Sequence, residues 1–263
     1  MAKIENDKYY TSPELAEYCV KKTKEIIGED NIAEYVEPSA GCGVFLDYLN
    51  KPYLAYDIEP EDGRVVKADW LEVNLDYKKG RCIIGNPPFG SRNTLSVRFF
   101  KKSILLADYI AFILPISQLN NNQQMYEFDL IYSEDLGKRE YSDRVVHCCF
   151  NIYKRPMNGL NKKQNYKLKD VVITEFRSKK ASLDSQEEYD LLFCFWGAIG
   201  NICNKGDYSH IMGIKVYNEQ YKEKVVKILS NVNWFDKYQF VATPALYQWQ
   251  VYKYLKEQIP ELE

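Results

Sequence analysis

The chain of 263 residues has only two histidines, and none of its seven cysteines forms a CxxC pair. The cysteines are scattered over positions 19, 42, 82, 148, 149, 194 and 203 and are odd in number, so neither a disulfide framework nor a zinc site is expected. His147 stands beside Cys148 and Cys149, but adjacent strand residues point to opposite faces, and no metal is expected there. Scattered free thiols fit a reducing cytosol, and a cytoplasmic location is expected. Apolar runs long enough to cross a bilayer are lacking, as is any leader-like segment, so no membrane partner is expected. Charge of one sign is lacking too. Lys+Arg 35 against Asp+Glu 37 gives a net charge of −2, which supplies no global attraction for a polyanion and leaves a local basic cleft open.

What is present is a soluble, globular composition, 46% hydrophobic and 27% charged. The 22 tyrosines and 12 phenylalanines are core material first, and they also suit a surface that stacks on bases. SPELAEYCVKKTKEII (12–27) reads as an amphipathic helix with Leu15, Tyr18, Cys19, Lys22 and Ile26 on one side, capped by Ser12 with Pro13 at the first helical position. Strands are expected at 33–38, 52–58, 65–70, 81–86 and 109–115, with a glycine turn running into a helix after the first and a helix over 94–107. This alternation predicts a largely parallel sheet covered by helices. Two runs within 126–155 lack an intervening helix and read as an antiparallel pair closing one edge. After Pro156 the polar, basic stretch MNGLNKKQNYKLKD reads as a linker or nucleic-acid-facing loop, followed by strand-like VVITEF and DLLFCFW and two helical segments at 217–232 and 247–258.

Two stretches carry chemistry. In EPSAGCGVF (37–45) an acid closes a strand and two glycines turn the chain before a helix, which is how an open α/β sheet binds a nucleotide-like ligand. The dinucleotide pattern GxGxxG fails because Leu46 stands at its third glycine, and no lysine follows Gly43 as a phosphate loop requires. The acid at Glu37 suggests a cationic ligand instead. Asp57 ends the second strand, where a carboxylate can accept hydrogen bonds from ribose hydroxyls, and Asp69 with Trp70 ends the third, where an adenine can be met. In CIIGNPPFG (82–90) the two prolines stop a strand. There the Asn86 side-chain carbonyl and the Pro87 backbone carbonyl offer two acceptors to one exocyclic amine, and Phe89 a stacking face.

NPPF (86–89), EPSAGCGVF, ADWL (68–71) and the preceding YYTSPELAEYCV together resemble the motifs of amino-group DNA methyltransferases that use S-adenosylmethionine, in the order of the gamma group of adenine-N6 enzymes. The resemblance covers residues 9–155. It implies a Rossmann-like methyltransferase fold, a mostly parallel seven-stranded sheet with an antiparallel edge hairpin, with a small C-terminal α+β region. It implies a catalytic domain at 1–156, a DNA-recognition region at 157–263, and transfer of a methyl group to N6 of a flipped-out adenine in double-stranded DNA. It further implies that Thr11 helps hold the methionine carboxylate, Glu37 with the Ala40–Gly41–Gly43 turn holds the methionine moiety, Asp57 the ribose, and Asp69 with Trp70 the adenine. Asn86, Pro87, Pro88 and Phe89 form the catalytic turn. Arg92, Arg98, Lys162, Lys163 and Lys167 are candidates for phosphate contacts. Phe89 stands where family members often carry tyrosine, and Asp57 where the ribose acid is often glutamate. A restriction-modification, phage or orphan setting, with a cognate restriction endonuclease as a possible partner, goes with the resemblance. Methylation of cytosine N4, of RNA guanine N2 or of a glutamine amide, and a non-catalytic DNA-binding subunit, stay open as alternatives.

Overall fold

A computed structural model describes residues 10–141, 144–238, 240 and 243–263. Tyr9, the first residue of the N-terminal motif, lies outside the described residues. The chain divides into two compact units, Met1–Lys163 and Gln164–Glu263.

The first unit opens with helix α1 (Pro13–Ile27), whose N-cap Ser12 accepts the Leu15 N–H at 3.3 Å. Its buried face is Leu15, Ala16, Cys19, Val20, Thr23 and Ile27. Tyr18 and Lys22, expected on that face, instead sit at its margin, where Tyr18 donates to Glu134 at 2.6 Å and Lys22 lies over the Tyr132 ring. Strands β1 (Glu34–Glu37), β2 (Tyr53–Asp57), β3 (Val66–Lys67), β4 (Arg81–Gly85) and β5 (Tyr109–Pro115) follow, with helix α2 (Thr94–Ser103) between β4 and β5. The hairpin β6 (Asp129–Tyr141) and β7 (Arg144–Lys154) completes a seven-stranded sheet in the order β3-β2-β1-β4-β5-β7-β6. All pairs from β3 to β5 are parallel, while β7 runs antiparallel to both β5 and β6. The expected sheet, with its antiparallel edge hairpin, is therefore present.

Alternation along the strands splits the core into two layers. Tyr35, Ile84, Ala111 and Ile113 pack on the α1 side, whereas Val36, Ile83, Ile110 and Phe112 pack with Phe99 and Phe100 of α2. With both faces covered, Cys82–Ile84 of β4 and Ile110–Leu114 of β5 read as continuous apolar runs, whereas the buried β1 carries a glutamate at each end. The helix expected after the glycine turn is only a 3-10 turn, Val44–Tyr48, and the third strand shrinks to two residues.

The second unit holds a three-stranded antiparallel sheet, β8 (Val171–Phe176), β9 (Leu191–Cys194) and β10 (Ile211–Val216), in the order β8-β10-β9. Helices α3 (Lys179–Asp184), α4 (Glu219–Asn231), α5 (Trp234–Lys237) and α6 (Gln248–Gln258) accompany it. Val225 and Leu229 of α4 and Val251 and Leu255 of α6 join Val171, Phe193 and Ile214 in its core. The central strand β10 carries Gly213 because a Cβ there would come within 2.6 Å of the Tyr189 ring.

Candidate active site at the carboxyl ends of the strands

Strand order reverses between β1 and its neighbours β2 and β4, and a crevice opens at such a switch point. A cavity of about 530 Å³ lies there. Glu37 is the last residue of β1, Asp57 the last of β2, and Asn86 the first after β4. All three line the cavity, together with Thr11, Ala40, Gly41, Asp69, Trp70, Pro88 and Arg98.

The turn after β1 is held from several sides. Gly41 (φ 49°) and Gly43 (φ 72°) take left-handed conformations that a side chain would resist. The Ala40 N–H donates to the Tyr56 carbonyl at 2.9 Å, and the Gly43 N–H to the Ala40 carbonyl at 2.7 Å. Asp57 ties this turn to its own loop: one carboxylate oxygen accepts the Gly41 N–H and the other the Glu59 N–H, each at 2.8 Å. Each oxygen keeps a second acceptor position, so the turn role and a hydroxyl-binding role are compatible. Asp69 likewise accepts the Leu71 N–H at 2.9 Å.

Glu37 differs from these. It is 2% exposed, and its Oε2 has no hydrogen-bond partner among the described residues. Burial and the neighbouring Asp57 charge push its carboxyl well above the usual carboxylate range, with Arg64 opposing. Trp70 Nε1, also buried, is a donor with no such partner. The wall carries the carboxylates of Glu37, Asp57, Glu61 and Asp69 and the Arg98 guanidinium. Such a donor set suits a ligand with a cationic end, hydroxyls and an amine.

The proline turn is anchored at Asn86. Its backbone carbonyl accepts from Ser39 Oγ at 3.3 Å, and its Nδ2 donates to Thr11 Oγ1 at 3.2 Å. Neither Pro87 nor Phe89 is in the cavity wall. Phe89, expected as a stacking surface, is 6% exposed and belongs to the core that contains Leu15, Cys19 and Ala111. In this conformation burial among apolar neighbours has claimed the ring. Gly43 shapes the turn without lining the cavity.

Of the candidate phosphate contacts, only Arg98 reaches the cavity. Arg92, with φ 52°, is exposed in the loop before α2. Lys162 and Lys163 fall in the first unit and Lys167 in the second, all exposed. Burial and the nearby Lys163 charge pull the Lys101 ammonium below its usual range, although Lys101 also pairs with Glu127. Sequence reasoning missed Tyr10, Ile58, Glu61, Leu95 and Phe99 of the wall. Tyr10 donates a short hydrogen bond to Glu61 across 51 residues, a pairing without local signal. Ile58 had one, since it directly follows the strand-ending Asp57.

His147 bonds Asp135 at 2.7 Å across the hairpin, and no group of three or more His, Cys, Asp or Glu able to hold a metal occurs among the described residues. No helix among them is long and apolar enough to cross a membrane.

No known protein family matches the sequence. No curated protein matches it either. Among solved structures, the chain is similar to the 23S rRNA methyltransferase ErmE, with 12% identity, 59% of this chain and 72% of that chain covered, and a TM-score of 0.43. It is similar to the M protein of the type I restriction enzyme EcoKI at 15% identity, covering 63% of this chain and 47% of that one with a TM-score of 0.43. A third likeness is to the 1,6-didemethyltoxoflavin-N1-methyltransferase of Burkholderia thailandensis, solved with S-adenosylhomocysteine, at 10% identity, 57% and 93% coverage and a TM-score of 0.39. The functional reading therefore rests on the cavity itself.

Proposed function

We propose that the protein is an S-adenosylmethionine-dependent methyltransferase acting on N6 of adenine in double-stranded DNA. The observation that carries this reading is the meeting, in one cavity, of a buried carboxylate, one oxygen of which has no hydrogen-bond partner among the described residues, with an Asn-Pro-Pro turn. In this reading Glu37 pairs with the ammonium of the methionine moiety, Asp57 accepts from ribose hydroxyls, and Asp69 with the Trp70 region meets the adenine. The cofactor supplies a methyl group already activated by its positive sulfur, so the protein has mainly to position the acceptor. In this reading Asn86 Oδ1 accepts one N–H bond of the exocyclic amine and helps direct its lone pair at the methyl carbon; the Pro87 carbonyl, outside the cavity wall in this conformation, would have to turn inward to accept the second. A nitrogen–carbon bond forms as the sulfur–carbon bond breaks, and the amine then releases one proton. No carboxylate base is required.

A paired adenine lies inside the duplex, so the base is extruded at a cost of a few kcal/mol before reaction. Arg98, on the cavity wall, is suited to the phosphate of the extruded nucleotide, and Arg92, Lys162, Lys163 and Lys167 to the flanking backbone. Residues 157–263 are proposed as the recognition region. Within the second unit, Trp196 is 47% exposed and stacks on His210 at 5.5 Å, a surface suited to a base or sugar. A cognate nuclease belongs to the same proposal.

The test is transfer of tritiated methyl from S-adenosylmethionine to duplex DNA, followed by nucleoside analysis. Label in 6-methyladenine is expected. Label in 4-methylcytosine, or in RNA or protein only, would replace the adenine-DNA assignment. Asn86→Ala should lower turnover at least about a hundredfold while leaving cofactor binding near wild type.

A further inference from the structure

The proline turn runs into helix α2 through residues 90–93, and three of these have positive φ: Gly90 at 67°, Arg92 at 52° and Asn93 at 67°. Two of the three carry side chains that resist this region. Asn93 holds the N-cap position of α2, where an asparagine ordinarily accepts the N–H of the second or third helical residue. It makes no such bond. Asn93 is 6% exposed, and neither its Oδ1 nor its Nδ2 has a hydrogen-bond partner among the described residues. The N–H of Leu95, the second helical residue, donates instead to the Phe89 carbonyl at 3.2 Å. The proline turn thus caps the helix in place of the residue suited to do so. Left-handed backbone and an enclosed amide persist where the surroundings over-determine them, and such outliers gather at functional sites.

A second bond ties the same two pieces. Ser96, the third residue of α2 and fully buried, donates its O–H to the Pro88 carbonyl at 3.1 Å. The direction is fixed, because a carbonyl only accepts and proline has no N–H. Rings set φ at Pro87 and Pro88, so ψ of Pro88 decides where the turn leads, and the Ser96 bond sets that angle. At the incoming end Ser39 Oγ donates to the Asn86 carbonyl at 3.3 Å. Ser39 lines the cavity, whereas Ser96 does not, so Ser96 reaches the chemistry only through the turn. We infer that the first turn of α2 is the support of the proline turn, with Ser96 as a positioning residue. By holding the Pro88 carbonyl it lets Asn86 meet the acceptor amine from a turn anchored at both ends. The catalytic part of this inference rests on the methyltransferase reading.

The test compares Ser96→Ala with Ser103→Ala. Ser103 is also fully buried on α2, but its Oγ donates to the Phe99 carbonyl of the same helix at 2.8 Å. Both variants lose one buried hydroxyl, and only the first loses a bond to the turn. At saturating S-adenosylmethionine, kcat for DNA should fall about tenfold to a hundredfold in Ser96→Ala, with cofactor Kd within about twofold of wild type. Ser103→Ala should keep the wild-type kcat. An unchanged kcat in Ser96→Ala, or an equal fall in both variants, would overturn the inference. A second readout needs no turnover. N–H groups in the first turn of a helix ordinarily lack partners and exchange fast, so slow exchange of the Leu95 N–H in wild type is the expected sign of the cap. It should quicken in Ser96→Ala and not in Ser103→Ala. Fast exchange in wild type, or no change in Ser96→Ala, would also overturn the inference. If wild type transfers no methyl group to any acceptor, the methyltransferase reading fails and takes the catalytic part with it, while Leu95 exchange still decides whether the turn caps α2.

Discussion

Strand β1 has a buried glutamate at each end, Glu34 at its start and Glu37 at its close, and the two are in opposite electrostatic states. Glu34 loses water on burial, yet Lys78 and Arg81, each at 2.7 Å, more than offset that cost and hold its carboxyl below the ordinary range. At Glu37 burial and the Asp57 charge push the carboxyl up, and Arg64 opposes them only in part. The amino-terminal edge of the sheet treats its acids in one way throughout: Asp108 there accepts from Tyr77 and the Gly80 N–H, each at 2.8 Å, and pairs with Arg155. The carboxyl-terminal edge leaves Glu37 Oε2 without a hydrogen-bond partner among the described residues. Glu34 and Asp108 are thus satisfied within the chain.

Substitutions at the two ends of β1 should therefore separate stability from binding. The largest effect on stability is expected for Glu34→Ala, which strands the buried Arg81 guanidinium and should cost about 3 kcal/mol, read as a lower denaturation midpoint. A midpoint equal to wild type would erase the contrast. Glu37→Gln should leave the midpoint intact, or raise it at alkaline pH, while weakening S-adenosylmethionine about tenfold or more. The sign follows from the raised pKa of Glu37 in the fold: its contribution is full at low pH and is lost as pH rises through the folded value. The smallest effect belongs to Lys78→Met. Its side chain is 46% exposed, and loss of that half of the Glu34 network should stay within about 1 kcal/mol.

Much of this frame was legible in the sequence because its signals are local. The first helix, the first, second, fourth and fifth strands and the edge hairpin announce themselves by periodicity and by the prolines and glycines that stop them. Strand ends then place Glu37, Asp57 and Asn86 around one crevice without any knowledge of side-chain contacts. Central strand β10 escaped, since Gly213 interrupts a short apolar run for the sake of the Tyr189 ring, a packing demand invisible locally. The glycine turn promised a helix and produced a 3-10 turn, because Gly41 and Gly43 spend the helix start on left-handed backbone. The packing of Phe89 was not legible for a different reason. A motif position says where a ring hangs on the chain, while the core beneath it decides which way the ring packs. The Thr11–Asn86 and Tyr10–Glu61 bonds join residues 75 and 51 positions apart and could only come from the fold.

The central claim is that Glu37, on the cavity wall, pairs with the cationic end of a ligand. Calorimetry of S-adenosylmethionine binding in buffers of different ionisation enthalpy tests it most directly. If Glu37 is protonated in the free protein and ionised opposite the ammonium, wild type should release a proton on binding, with affinity rising as pH increases until Glu37 is already ionised. Glu37→Gln should release none. Binding without proton release in wild type, or equal release by Glu37→Gln, would contradict the account.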